Sequence, residues 1–106
     1  MRVLITGAAG KVGTTLVDAL HERHELHGLD RVPTPHLAQA NVGSVADFEV
    51  VLKASEGMDA IIHLVGRASR WEEVLHDNLI GTYNVFEAAR QNKVRRIAYA
   101  SRWVAD

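Results

Sequence analysis

Apolar residues along this chain follow two spacings, and the points where one gives way to the other divide it into strands and helices. Val3 to Thr6 is a short apolar run with β-branched residues, closed by Gly7, which is the form of a buried strand. From about Lys11 to Arg23 the period becomes helical, with Val12, Leu16, Ala19 and Leu20 on one face and Asp18, Glu22 and Arg23 toward water. Glu25 to Asp30 reads as a second strand. Arg31 to Pro35 cannot be helix, because Pro33 and Pro35 remove donors and push their neighbours into extended geometry. His36 to Val42 is a weakly patterned third strand, suited to a sheet edge, and Ser44 caps a helix running to about Ala54 with Val45, Phe48, Val51 and Leu52 on its apolar face. After Gly57, the segment 59–66 shows almost no polar alternation, as a central parallel strand should. Glu72 to Gln91 is the longest helical segment. Leu75, Leu79, Thr82, Phe86 and Ala89 form its stripe, with Ile80, Tyr83 and Val85 outside it, so we expect one face on the sheet and another on a second copy of the chain. Arg96 to Ser101 is a fifth strand.

This order of elements predicts a single α/β domain over residues 1–106, a doubly wound parallel sheet of strand order 3-2-1-4-5 with helices on both faces. In such a sheet the ligand crevice lies at the carboxyl ends of the strands, where Gly7, Asp30, Asn41, Gly66 and Ser101 fall. The stretch Thr6-Gly7-Ala8-Ala9-Gly10-Lys11-Val12-Gly13 sharpens this to a Rossmann-type dinucleotide turn. Gly7 allows the sharp turn off the strand, Gly10 leaves room for a pyrophosphate, and Gly13 lets the helix lie close on the sheet. Phosphate charge would then meet the unpaired N–H groups and positive dipole end of the helix. Asp30 stands 17 positions after Gly13 and 23 after Gly7, bracketing the offset of about 20 expected for a carboxylate on the adenosine ribose.

Composition narrows the alternatives. A formal net charge of -1 gives no general attraction to nucleic acid or to an anionic membrane, and the lack of cysteine removes disulfides and thiolate zinc sites. The start of the chain enters a strand directly and no long apolar stretch follows, so we expect a cytoplasmic location. His21, His24 and His27 fail the His-Glu-x-x-His spacing, because Glu25 stands where the second histidine belongs, and no metal site is expected. Val12 after Gly10-Lys11 excludes a phosphate-binding P-loop, which needs Ser or Thr there. Arg90, Lys93, Arg95, Arg96 and Arg102 read as a helix-end charge complement and solvated surface rather than a nucleic-acid site.

Taken in order, the glycine turn, Asp30, the Ala60-Ile61-Ile62-His63-Leu64 strand, the segment Asn78-Leu79-Ile80-Gly81-Thr82-Tyr83-Asn84-Val85-Phe86-Glu87-Ala88-Ala89-Arg90 and the last strand carry a family resemblance. The chain resembles the amino-terminal cofactor-binding part of the extended short-chain dehydrogenases, the NAD-dependent epimerase/dehydratase family, and among them the uronate dehydrogenases. The resemblance implies hydride transfer to or from NAD on a sugar or sugar acid. It places the main chain of Ala9, Gly10, Lys11 and Val12 on the pyrophosphate and Asp30 on the ribose hydroxyls. A carboxylate there favours NAD over NADP, and Arg31 beside it weakens that preference. Asn41 stands where an aspartate usually accepts from the adenine amino group, and Val42 would pack on the adenine. Leu64, Val65 and Gly66 would pass beneath the cofactor ribose, Asn78 matches an asparagine that steadies the proton relay, and His63 becomes a structural residue with a hydrogen-bonded ring.

The departures bear on catalysis. The family's chemistry uses a tyrosine with a lysine four positions on, the lysine lowering the tyrosine pKa. Here Tyr83 is followed at that spacing by Glu87, and Tyr99 by Trp103. Ser101 matches the first member of the family's Ser-Ser pair, while Arg102 replaces the second, usually catalytic one. The resemblance implies that the substrate-binding half is absent and that this chain alone binds NAD without turnover. The competing expectation is a noncatalytic dinucleotide-binding or sensor module.

Overall fold

A computed structural model of the chain describes residues 1–65, 71 and 78–101. Five parallel strands, β1 (Arg2–Thr6), β2 (Glu25–Asp30), β3 (Ala40–Val42), β4 (Ala60–Val65) and β5 (Arg96–Ser101), form one sheet in the order β3-β2-β1-β4-β5. Among the described residues three helices, α1 (Lys11–Leu20), α2 (Phe48–Ala54) and α3 (Gly81–Gln91), surround it. Side-chain alternation along β1 divides the core. Leu4 joins Leu29 and Ile61 beneath α2 and α3, and Val3 and Ile5 join Leu26 and Ala60 beneath α1. Leu4, Ile5, Leu29 and Ile61 are fully buried, each contributing about 1.5–3 kcal/mol, and a one-residue slip of β1 would exchange its two sets.

Several boundaries differ from the sequence reading. α1 ends at Leu20 rather than Arg23, because the His21 ring N–H at Nδ1 donates to the Val17 carbonyl at 3.0 Å and the chain turns back through Arg23. Its buried residues are Gly13 and Val17, flanked by half-buried Leu16 and Leu20, while Val12 and Ala19 are exposed. β3 is Ala40–Val42 rather than His36–Val42. Pro35 directs Thr34 to Leu37 into a turn closed by the Leu37 N–H on the Thr34 carbonyl at 3.1 Å. α2 begins at Phe48. Ser44 closes a local turn on the Ala46 N–H at 3.1 Å, and the cap is Asp47, whose side chain accepts from the Glu49 N–H at 3.1 Å.

The expected apolar stripe of the long helix is also corrected. Gly81, Asn84, Val85, Ala88 and Ala89 are buried, whereas Leu79 and Phe86 are about half exposed. Small side chains let α3 approach the sheet and α2, and two amides fix it there. Asn84 Nδ2 donates to the Val45 carbonyl at 2.9 Å, and Asn92 Nδ2 donates to the Leu52 carbonyl at 2.9 Å and to Ser55 Oγ at 2.8 Å. The large side chains are turned to the outside: Tyr83 and Phe86, three positions apart on α3, are exposed, as is Leu79 just before the helix. A wider, π-type turn at 78–80 leads into α3, and the expected helical residues 72–77 lie outside the described part.

His63 links these layers. It is 1% exposed, its Nδ1 lies 2.6 Å from Thr6 Oγ1 on β1, its Nε2 lies 3.0 Å from Thr82 Oγ1 on α3, and its ring meets Tyr99 on β5 at 5.8 Å. A neutral imidazole offers one donor and one acceptor, and two hydroxyls satisfy both. Burial lowers the His63 pKa from 6.5 to about 4. Because the folded pKa lies below the unfolded value, the unfolded chain binds the extra proton between these limits. The contribution is complete above about pH 6.5 and is lost as the pH falls toward 4, amounting to about 3 kcal/mol. We therefore expect urea midpoints of the wild-type chain to fall more steeply from pH 6.5 to 4.5 than those of His63→Gln, and parallel slopes would contradict this origin.

Candidate cofactor site

The site is built where β1 ends. Gly7 has φ +75°, and a Cβ there would lie 3.0 Å from the Leu64 carbonyl oxygen, so the chain leaves the strand in a conformation and at a separation that exclude a side chain. The Gly7 N–H donates to the Leu29 carbonyl at 2.8 Å, tying the turn to β2. At Gly13 a Cβ would lie 2.5 Å from the Ala8 carbonyl oxygen and 2.6 Å from that of Gly7, so α1 rests directly on the turn. Gly10 differs. Its backbone is extended at φ -77°, and a Cβ would meet only the Gly7 carbonyl oxygen, at an ordinary 3.6 Å. Nothing among the described residues requires glycine at position 10, so the space it leaves faces outward.

The helix end beside that space suits an anion. The first bond of the α1 ladder runs from the Thr14 N–H to the Gly10 carbonyl at 2.9 Å, so the N–H groups of Lys11, Val12 and Gly13 precede it. Among the described residues no side chain caps α1 at Gly10, and no acidic residue stands in its first turn to offset the dipole. Lys11 and Val12 are exposed. The N–H of Ala9 is engaged by Asp30 Oδ2 at 3.0 Å, and that of Gly10 by the Gly7 carbonyl at 3.2 Å.

Parallel register sets the remaining residues along the same edge. Asp30 ends β2 opposite Val42 at the end of β3, with Arg31 exposed beside it, and the Gly43 N–H donates to the Asp30 carbonyl at 2.8 Å. Asn41 pairs with Leu29, one row below. Asn41 and Val42 are both exposed and line an open groove of about 400 Å³ with His27, Val50, Lys53 and Met58. Leu64 lies directly against Gly7. Val65 and Ser101 face each other at the ends of β4 and β5, but their side chains, and Gly66 altogether, lie outside the described part. Asn78 is half-buried in the turn before α3.

The structure thus gathers the glycine turn, Asp30, Val42 and Leu64 at one edge and sets Asn41 slightly aside. Three contacts escaped the sequence reading. Thr6 and Thr82 as partners of His63 had only the signal of a lone histidine in an apolar strand, and the bond from Asp30 to a main-chain N–H had none.

The site can be compared with known proteins. An L-arabinose 1-dehydrogenase (NAD(P)(+)) of Haloferax volcanii is 35% identical over 94% of this chain, and a uronate dehydrogenase of Pseudomonas putida is 37% identical over 94%. Each match spans 40% of the relative, so this chain corresponds to well under half of either protein. A crystal structure of a uronate dehydrogenase variant from Agrobacterium tumefaciens complexed with NAD superposes with a TM-score of 0.84 at 36% identity, covering 94% of this chain and 40% of that one. The model of the NAD dependent epimerase/dehydratase family matches residues 3–102, and with the five-stranded order, the glycine turn and these relatives in agreement, the chain belongs to that family.

Proposed function

We propose that this chain is the NAD-binding part of an oxidoreductase or epimerase that acts on a sugar or sugar acid, and that it binds the dinucleotide without turning substrate over by itself. The observation that carries the reading is Gly10, a glycine the fold does not need, at the uncapped positive end of α1 and near a carboxylate suited to a ribose. In this reading the N–H groups of Lys11 and Val12 hold the pyrophosphate. Asp30 accepts from the ribose hydroxyls and repels a 2′-phosphate, favouring NAD, while Arg31 reduces the margin over NADP. The Asn41 amide oxygen accepts from the adenine amino group, Val42 packs on the ring, and Leu64, Val65 and Gly66 support the second ribose. When bound, the nicotinamide supplies hydride transfer. Asn78 and Ser101 would orient the proton-handling groups, and the Tyr-x-x-x-Lys pair that would move the proton does not occur in these 106 residues. That absence also favours a second reading, a noncatalytic dinucleotide-binding or sensor module.

Calorimetry of the chain with NAD and NADP tests binding, with NAD expected to be the tighter ligand and the absence of heat from both overturning the reading. A turnover assay with hexuronates and nucleotide sugars tests the rest, because measurable turnover would contradict the incapacity for catalysis. Gly10→Ala is expected to leave stability within about 0.5 kcal/mol of wild type while weakening NAD by about tenfold or more. Gly13→Ala should instead destabilise the fold by about 3 kcal/mol or more, since main-chain carbonyls cannot yield as a flexible side chain would. Equal effects of the two substitutions on stability would remove the argument for an outward-facing space.

A homodimer is supported by the exposed apolar side chains of α3 and the turn before it, with Leu79, Tyr83 and Phe86 exposed at 55%, 66% and 47%. Sedimentation should give a dimer that Tyr83→Glu converts to a monomer. A wild-type monomer at every concentration would exclude this interface.

A further inference from the structure

Asp30 stands in a position where a carboxylate is ordinarily credited with ribose recognition alone, yet its oxygens are already in use. Oδ2 accepts from the Ala9 N–H at 3.0 Å, across 21 residues, and Oδ1 accepts from the Val32 N–H at 3.3 Å. Among the described residues no other side chain accepts from an N–H of the turn 7–13, and Gly10, the helix cap, has no side chain to close the turn from within. The turn is therefore held by Leu29 through Gly7, by the seat of Gly13, and by the Asp30 carboxylate through Ala9.

We propose that Asp30 is a positioning residue for the glycine turn as well as the ribose ligand, so that removing its acceptor oxygens weakens NAD and NADP together, whereas removing its charge alone only narrows the preference between them. This rests on the dinucleotide reading above. A carboxylate has about four acceptor sites. With one on Ala9 and one on Val32, two are left for a pair of ribose hydroxyls, and the group is fixed before the ligand arrives. Holding Ala9 also shapes the chain just ahead of Gly10, Lys11 and Val12, whose main chain must be in place for a pyrophosphate. Charge and clamp are separable. Asparagine keeps an acceptor oxygen for Ala9 and loses the charge that repels a 2′-phosphate, while alanine loses both.

The test compares wild type, Asp30→Asn and Asp30→Ala by calorimetry with NAD and NADP, and by amide hydrogen exchange of Ala9 in the nucleotide-free chain. Asp30→Asn should retain Ala9 protection and bind NADP nearly as well as NAD. Asp30→Ala should exchange Ala9 about tenfold faster or more and bind both nucleotides about tenfold more weakly than Asp30→Asn, the loss expected for one neutral hydrogen bond that the amide oxygen still makes. Equal NADP affinity in the two variants, with Ala9 protection unchanged, would overturn the clamp. Should Asp30→Ala not fold, Asp30→Ser, too short to span to Ala9, takes its place with the same expectations. A wild-type chain that binds neither nucleotide would defeat the dinucleotide reading, while Ala9 exchange in the free chain would still decide the clamp.

Discussion

The carboxyl edge of the sheet depends on how closely α1 approaches the end of β1. At Gly13 the helix comes so near the carbonyls of Gly7 and Ala8 that a methyl group could not be placed between them. That seat aims the helix N-terminus along the crevice. The positive φ of Gly7 is the other half of the arrangement, because it sends the chain off the strand early enough to meet α1 and to lie against Leu64. A Rossmann sheet with any bulkier residue at position 13 would have to lift the helix, and the N–H groups of Lys11 and Val12 would move with it.

Behind that edge, polar groups bind the layers at single points where apolar packing is not directional. His63 touches hydroxyls on β1 and α3 from the middle of β4, and the Asn84 and Asn92 amides tie α3 to the loop before α2 and to the end of α2. Each is satisfied, so each holds a register without the penalty of a buried unpaired group. The small residues of α3 make this possible, and the consequence is a helix with its large side chains turned away from the fold.

β2 and β5 were legible in the sequence to the residue, and β1 nearly so, because short apolar runs bounded by glycine, proline or charge leave little freedom in where they end. The residue pattern extends β3 back to His36, but a turn at Pro35 competes with strand pairing there, and apolarity alone does not reveal it. The expected stripe of the long helix agrees with the structure at Ala89 and departs from it at Leu79 and Phe86 for a related reason. Size alone points to the large residues as the inner face, whereas close packing against α2 selects Gly81, Val85 and Ala88. The glycines and Asp30 were legible because their spacing is fixed by one short βαβ unit. The Asp30 bond to Ala9 was not, since its donor is a main-chain N–H that any residue at position 9 but proline would supply.

Whether a dinucleotide lies across the end of α1 and is met by Asp30 is decided by determining the structure with NAD bound. The pyrophosphate is expected within hydrogen-bond distance of the Lys11 and Val12 N–H groups, over the open side of Gly10, with the adenosine ribose hydroxyls on Asp30. A dinucleotide seated elsewhere, or its pyrophosphate turned away from Gly10, would contradict it.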